Sequence, residues 1–224
     1  MNRTNRITIA VVMLSGLVAF AERPPARGRA QLPEGEQTAG ARVLATLPAA
    51  ARDAIRKDGQ AVLDSKSKED GLLRAVIRFD RPRDEVFAVI TQPSAQEHYL
   101  PHVTQSKTVG TRTAEGESID IVVSFLFTFR YRAQHWFYPE QHRMEWNLDP
   151  KGENGLTEQV GFFQLYELDE HTTIAKYGMK VVARDGFLNF LRGLGERGGV
   201  AEAITAMREH VASTKVEPAK LTSR

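Results

Sequence analysis

Residues 118–138 read SIDIVVSFLFTFRYRAQHWFY, and their odd positions (Ile119, Ile121, Val123, Phe125, Phe127, Phe129, Tyr131, Ala133, His135, Phe137) are almost wholly apolar. The even positions carry Asp120, Ser124, Thr128, Arg130, Arg132 and Gln134. Side chains of a strand alternate between two faces, so the period predicts β structure with one buried face and one mainly polar face. Twenty-one residues exceed an ordinary strand, which predicts two antiparallel strands turning near 125–128. The apolar face carries more aromatic bulk than a thin sheet needs, so a helix, a ligand or both must lie against it.

The same reading extends to both sides. Pro48 followed by residues 49–57 and Gly59 predicts a short helix. Strands follow at 60–65 and 72–79, the second alternating Leu73, Ala75, Ile77 and Phe79 with Arg74, Val76 and Arg78. Pro82, with Asp84 and Glu85 in a first turn, opens a helix whose apolar side is Val86, Phe87, Val89 and Ile90. A second short helix at 93–99 stops before Pro101, because the residue preceding proline avoids helical geometry. Strands are expected at 103–109 and 143–148, then a hairpin of 156–168 and 172–183 with Thr173, Ala175, Tyr177, Met179 and Val181 inward. Residues 185–212 predict a helical region with Phe187, Leu188, Phe190, Leu191 and Leu194 as a stripe. Glycines at 193–199 mark a break within it. This order is an α+β chain: a curled antiparallel meander covered by a long C-terminal helix and two short ones.

The chain ends differ from this pattern. Arg3 and Arg6 precede an uncharged, mostly apolar run over 7–20, closed by Ala19-Phe20-Ala21. A basic start, a short apolar core and a small-residue site predict a signal peptide, residues 1–21, cleaved after Ala21. The alternative is a membrane anchor made of the uncleaved leader. Export to the periplasm or beyond follows from the first. Residues 22–47 are expected as a disordered spacer and 214–224 as a disordered tail, leaving 48–213 as the folded domain.

The 30 basic and 28 acidic residues balance once the leader's two arginines are removed, so charge offers no case for nucleic acid. Cysteine is absent, which rules out disulfides, thiolate metal sites and a cysteine nucleophile.

The segment GLLRAVIRFDRPRDEVFAVITQPSAQEHYLPHV resembles the opening of the START-like superfamily, also called SRPBCC. The polyketide cyclase/dehydrase and coenzyme Q-binding START-like families are the nearest in pattern. Asp80, Pro82, Glu85-Val86-Phe87, Tyr99, Pro101 and Val103 carry the resemblance. RYRAQHWFYPEQHRMEWNLD, the strand around Gly161-Phe162-Phe163 and residues 172–179 extend it. Phe87 stands where tryptophan is common, and Gln92-Pro93 replaces a usual acidic residue. The resemblance implies a helix-grip fold, a curved antiparallel sheet wrapped around a long helix with an apolar tunnel between. It implies a hydrophobic ligand such as a lipid, quinone, sterol or polyketide, no cofactor, and no shared catalytic set. A minority of such proteins are cyclases or hydrolases.

The residues expected to line a tunnel are Tyr99, Phe125, Phe127, Phe129, Tyr131, His135, Phe163, Tyr177, Met179, Phe187, Phe190 and Leu191. The competing reading is that these side chains simply fill one another's space. His135, the one ionisable group in the apolar register, suits a ligand carbonyl or acid–base work. Arg130 and Arg132 belong to water or to a ligand carboxylate at a tunnel mouth. His98 and His102 have helical metal spacing, but Pro101 intervenes and no third ligand is near, so no metal is expected. Glu145 and Glu158 fall in polar registers. No G-x-S-x-G turn occurs, and GLGERGG follows no strand. The expected function is carriage of a hydrophobic small molecule or lipid by an exported, non-catalytic protein, with transient membrane contact. A cyclase- or dehydratase-like enzyme acting in the same tunnel is the alternative.

Overall fold

A computed structural model describes residues 37–63, 72–124, 128–183 and 199–216. Their backbone forms one eight-stranded antiparallel sheet. The strands are β1 (Gln60–Leu63), β2 (Leu72–Phe79), β3 (Val103–Val109), β4 (Gly116–Ser124), β5 (Thr128–Tyr138), β6 (Arg143–Leu148), β7 (Leu156–Asp169) and β8 (Thr172–Ala183). Their spatial order is β1-β2-β8-β7-β6-β5-β4-β3. Consecutive strands from β3 to β8 are neighbours, so short hairpins build most of the sheet, and β2 closes onto β8. The 118–138 stretch divides as expected. Ser124 pairs with Thr128, and odd positions of β4 face odd positions of β5.

Among the described residues, four α-helices accompany the sheet: α1 (Ala39–Ala45), α2 (Ala49–Asp58), α3 (Arg83–Ile90) and α4 (Gly199–Ser213). Pro82 takes the N-cap of α3, with φ −55° and ψ 144°, one position before the expected one. Its acidic first turn and buried Val86, Phe87, Val89 and Ile90 are as the pattern predicts. The second short helix is a 3₁₀ segment, Pro93–His98. Of the long C-terminal helix, the described part is α4, whose Ile204, Met207 and Val211 are buried. Phe187, Phe190 and Leu191 lie outside the described residues, as do Phe125 and Phe127.

Two cores lie on opposite faces of the sheet. On the inner face, Ala75, Ile77 and Phe79 pack with α3, α4, Phe137, Met144, Trp146, Phe163 and Leu165. On the outer face, Val76, Ala61 and Ile174 pack with Val43 of α1 and Ile55 of α2. Part of the expected spacer therefore belongs to the fold. The Thr38 hydroxyl accepts the Ala41 N–H and donates to the Leu168 carbonyl at 2.9 Å. A Cβ on Gly40 would meet the Glu167 carbonyl at 2.7 Å, so only glycine lets α1 lie this close to β7. The low-complexity reading of 22–47 missed this, because helix α1 is set by what it packs against rather than by its own pattern.

Arginines hold α4 in place. Arg208 donates to the carbonyls of Arg78 at 2.9 Å and Asp58 at 2.8 Å. Arg81 donates to those of Val211 and Thr214, both at 2.6 Å, at the C-terminal end of α4. Charge-assisted bonds to unpaired terminal carbonyls suit a helix end.

Trp146 lies over Gly161 on the neighbouring strand, and a Cβ there would come within 2.2 Å of the indole. Gly161→Ala is therefore expected to displace Trp146 and destabilise the fold by about 1–3 kcal/mol, read from the midpoint of urea unfolding.

Candidate functional site

Cross-strand register aligns the inner face in rows. One row runs Phe137, Met144, Phe163, Tyr177, Ala75 across β5, β6, β7, β8 and β2. The next runs Glu117, His135, Trp146, Gly161, Met179, Leu73 across β4 to β2. Beyond it, Ile119 faces Ala133, Ile121 faces Tyr131 and Val123 faces Phe129. Seven of the twelve expected lining residues are described, and all but Tyr99 stand on these strands in the inward register. Tyr99 reaches the same inner core from the turn after the 3₁₀ segment, stacked on His210 of α4 at 4.1 Å.

Rings cluster around Trp146. Phe163 lies 5.8 Å away, Tyr177 6.0 Å and His135 6.1 Å, with Phe163 and Tyr177 at 4.8 Å from each other. Phe129 and Tyr131 stack at 6.0 Å further along. Among the described residues, the apolar contacts of this face do not join into one core. Tyr99, Tyr177 and Met179 belong with the α3/α4 group. Phe129, Tyr131, Leu148 and Val181 form a separate group around Leu156.

The tyrosines carry the polarity. Burial raises the Tyr99 hydroxyl well above its usual range and Tyr131 to about 12. Tyr177 is raised by burial first, with Tyr131 and Tyr99 acting in the same direction. Tyr177 donates to the Met179 thioether at 3.2 Å, a weak acceptor. The Gln159 amide lies beside the Tyr131 hydroxyl and partly offsets the effect of burial. Gln159 Oε1 is buried with no hydrogen-bond partner.

His135 is 2 % exposed and its Nδ1 also lacks a partner. Burial lowers its pKa to about 4, opposed by a backbone hydrogen bond with Ala133 and aided by the Arg112 charge. Across the strand pair, Glu117 has a fully buried side chain that is ion-paired to Arg112 and accepts the Thr108 hydroxyl at 2.9 Å. Arg112 also donates to the Thr91 carbonyl at 2.6 Å and covers the Phe137 ring at 4.8 Å. A buried carboxylate so paired is neutralised in place.

The remaining candidates stand apart from this face. Arg132 forms a two-pronged pair with Asp120 at 2.6 and 2.9 Å on the polar side, and Arg130 is exposed there. Glu145 pairs with Arg143 and Glu158 with Lys180, so the two carboxylates serve different cations. His98 is exposed, and His102 sits in the turn with φ 67°. No group of three or more metal-ligating side chains occurs among the described residues.

Sequence reasoning missed Trp146, Gln159, Glu117 and Arg112. Trp146 was recoverable by alternation from Met144. Gln159 was masked by a bulge at Leu156/Glu158, which puts Gln159 inward and leaves Val160 38 % exposed. Counting back from Phe163 and Leu165 restores the parity.

A curved antiparallel sheet with a C-terminal helix against its inner face is the helix-grip arrangement, and the chain has the START-like, or SRPBCC, fold. The Zhui aromatase/cyclase from Streptomyces sp. R1128 is similar over 63 % of this chain and 93 % of its own, at 12 % identity and a TM-score of 0.55. A START superfamily protein from Mycobacterium smegmatis matches over 63 % and 97 %, at 12 % identity and 0.52. A STAR-related lipid transfer protein from Xanthomonas axonopodis matches over 70 % and 100 %, at 13 % identity and 0.50. No sequence family and no curated protein matches the chain.

His135 titrates near 6.5 when unfolded and near 4 when folded, so the unfolded chain takes up the proton first as pH falls. Stability present above about pH 6.5 is therefore lost toward pH 4, by on the order of 3 kcal/mol from this residue. His142 and His210 are shifted in the same direction. The expected result is a shallower acid loss in His135→Gln than in wild type, measured as urea-unfolding free energies between pH 7 and 4.

Proposed function

We propose that the protein binds and carries a hydrophobic small molecule (a lipid, quinone, sterol or polyketide-like compound) against the inner face of its sheet, after export from the cytoplasm. The observation that carries this reading is the partial accessibility of Tyr99, Tyr131, Tyr177 and Met179. Their neighbours Ala133, His135, Phe163 and Ala175 are buried, and protein surrounds the phenols closely enough to raise their pKa values. Side chains enclosed yet still open are those of a concave site with a few placed polar groups. The similarity to a lipid transfer protein and to an aromatase/cyclase supports a hydrophobic ligand.

Binding alone accounts for such a face. Each Å² of apolar ligand surface removed from water contributes about 25 cal/mol before the cost of association. An enzyme reading needs a group that moves a proton, and His135 with its free Nδ1 is the candidate. A pKa near 4 leaves it uncharged at neutral pH but a weak base, so carriage is the better supported function.

Protein purified from its native envelope is expected to release a hydrophobic compound on organic extraction, identified by mass spectrometry. Repeated extraction of nothing but solvent background would sink the carrier reading. Intact mass from the same preparation is expected to match a chain starting at Glu22; retention of residues 1–21 would favour the anchored alternative.

A further inference from the structure

Resting on that carrier reading, we infer that the ligand is electrically neutral and bears hydrogen-bonding oxygens at more than one point along its length. Fatty acids and phosphate-headed lipids are thereby disfavoured as cargo.

The argument starts from groups that the fold leaves unsatisfied. His135 Nδ1 and Gln159 Oε1 are buried without partners, and Tyr177 reaches only a thioether. An unpaired buried polar atom opposes folding, and a ligand hydrogen bond would recover that loss. The two orphans are well separated. His135 and Gly161 stand two strand spacings apart in one row, and Gln159 is two residues from Gly161 along β7. Ladder dimensions place their Cα atoms about 12 Å apart. One headgroup does not reach both; a molecule with oxygens toward each end or at end and middle does.

Charge on the row argues for neutrality. Glu117 and Arg112 satisfy each other, and Arg112 is further committed to the Thr91 carbonyl. His135 carries no charge at neutral pH. Tyr131 faces Gln159, and all three phenols stay protonated. A carboxylate or phosphate placed here would surrender its hydration and meet no spare cation on the row. An ester, ketone or hydroxyl loses far less: a hydroxyl can donate to Gln159 Oε1, and a carbonyl oxygen can accept from the Tyr177 hydroxyl.

The test uses the full mature chain with Trp136→Phe, which leaves Trp146 as the single fluorescent reporter on the inner face. Four probes share one flexible eighteen-carbon chain: octadec-9-ene, oleate, methyl oleate and methyl ricinoleate, which adds a mid-chain hydroxyl. At pH 7.4 methyl ricinoleate is expected to bind at least tenfold more tightly than oleate, and methyl oleate to lie between. Gln159→Leu should remove the advantage of the hydroxyl while leaving octadec-9-ene unchanged. The wild-type inner face decides the matter even if that variant misfolds, since oleate and methyl oleate share their hydrocarbon chain and differ in charge and one methyl group. Oleate binding as tightly as its ester, or octadec-9-ene as tightly as either, would overturn the inference and leave the carrier reading intact. Absence of binding by all four, together with an empty extract, would overturn both.

Discussion

The inner face depends on Trp146 lying across Gly161. The rings of His135, Phe163 and Tyr177 meet around that indole, and it can take its place only because the next strand offers bare backbone beneath it. The contact ties β6 to β7 at the centre of the sheet. It also sets the depth of everything else in its row, from Glu117 and His135 on one side to Met179 on the other. A side chain at 161 would lift the indole from its place.

Around this centre, polarity is sorted by what each group can find. Charges on the outer face are paired across strands, as Arg132 is with Asp120 and Lys180 with Glu158. The one buried carboxylate on the inner row is matched by Arg112. Neutral groups are treated differently: His135 and Gln159 each keep an atom unpaired. Native proteins leave few such atoms, and those that remain call for an explanation. On the proposed carrier reading, a ligand would supply the missing partners, turning a cost of folding into selectivity of binding.

The helices act as clamps at one end of the sheet. Arg208 and Arg81 reach backbone carbonyls of the elements they join, so α4 is held by groups that every sequence possesses, and Arg81 is itself fixed by an ion pair with Glu85. Gly59, with φ 73°, makes room for the Arg208 guanidinium and ends α2 at once. On the outer face α1 and α2 cover Val76 and Ile174, which explains why β2 and β8 are apolar on both sides at this end. Elsewhere the outer face carries mostly polar residues, with Val160 exposed among them.

Alternation and punctuation by themselves determined the α+β class, the hairpin at 125–128, the α3 start at Pro82 and the inward parity of Tyr131, His135, Phe163, Tyr177 and Met179. These are properties of a strand's two-residue period and of proline's fixed φ, and they need no neighbours to be read. The tertiary structure alone decided the rest. Which rows meet depends on register between strands far apart in the chain, as with Trp146 on Gly161. A bulge between Leu156 and Glu158 brings both Leu156 and Gln159 inward, against strict alternation. Residues 39–47 became part of the fold because β7 and β8 offered a surface, and Glu117 could be buried because Arg112 arrived from the preceding loop. Local pattern encodes which way a side chain points; whether it finds a partner there is a property of the assembled chain.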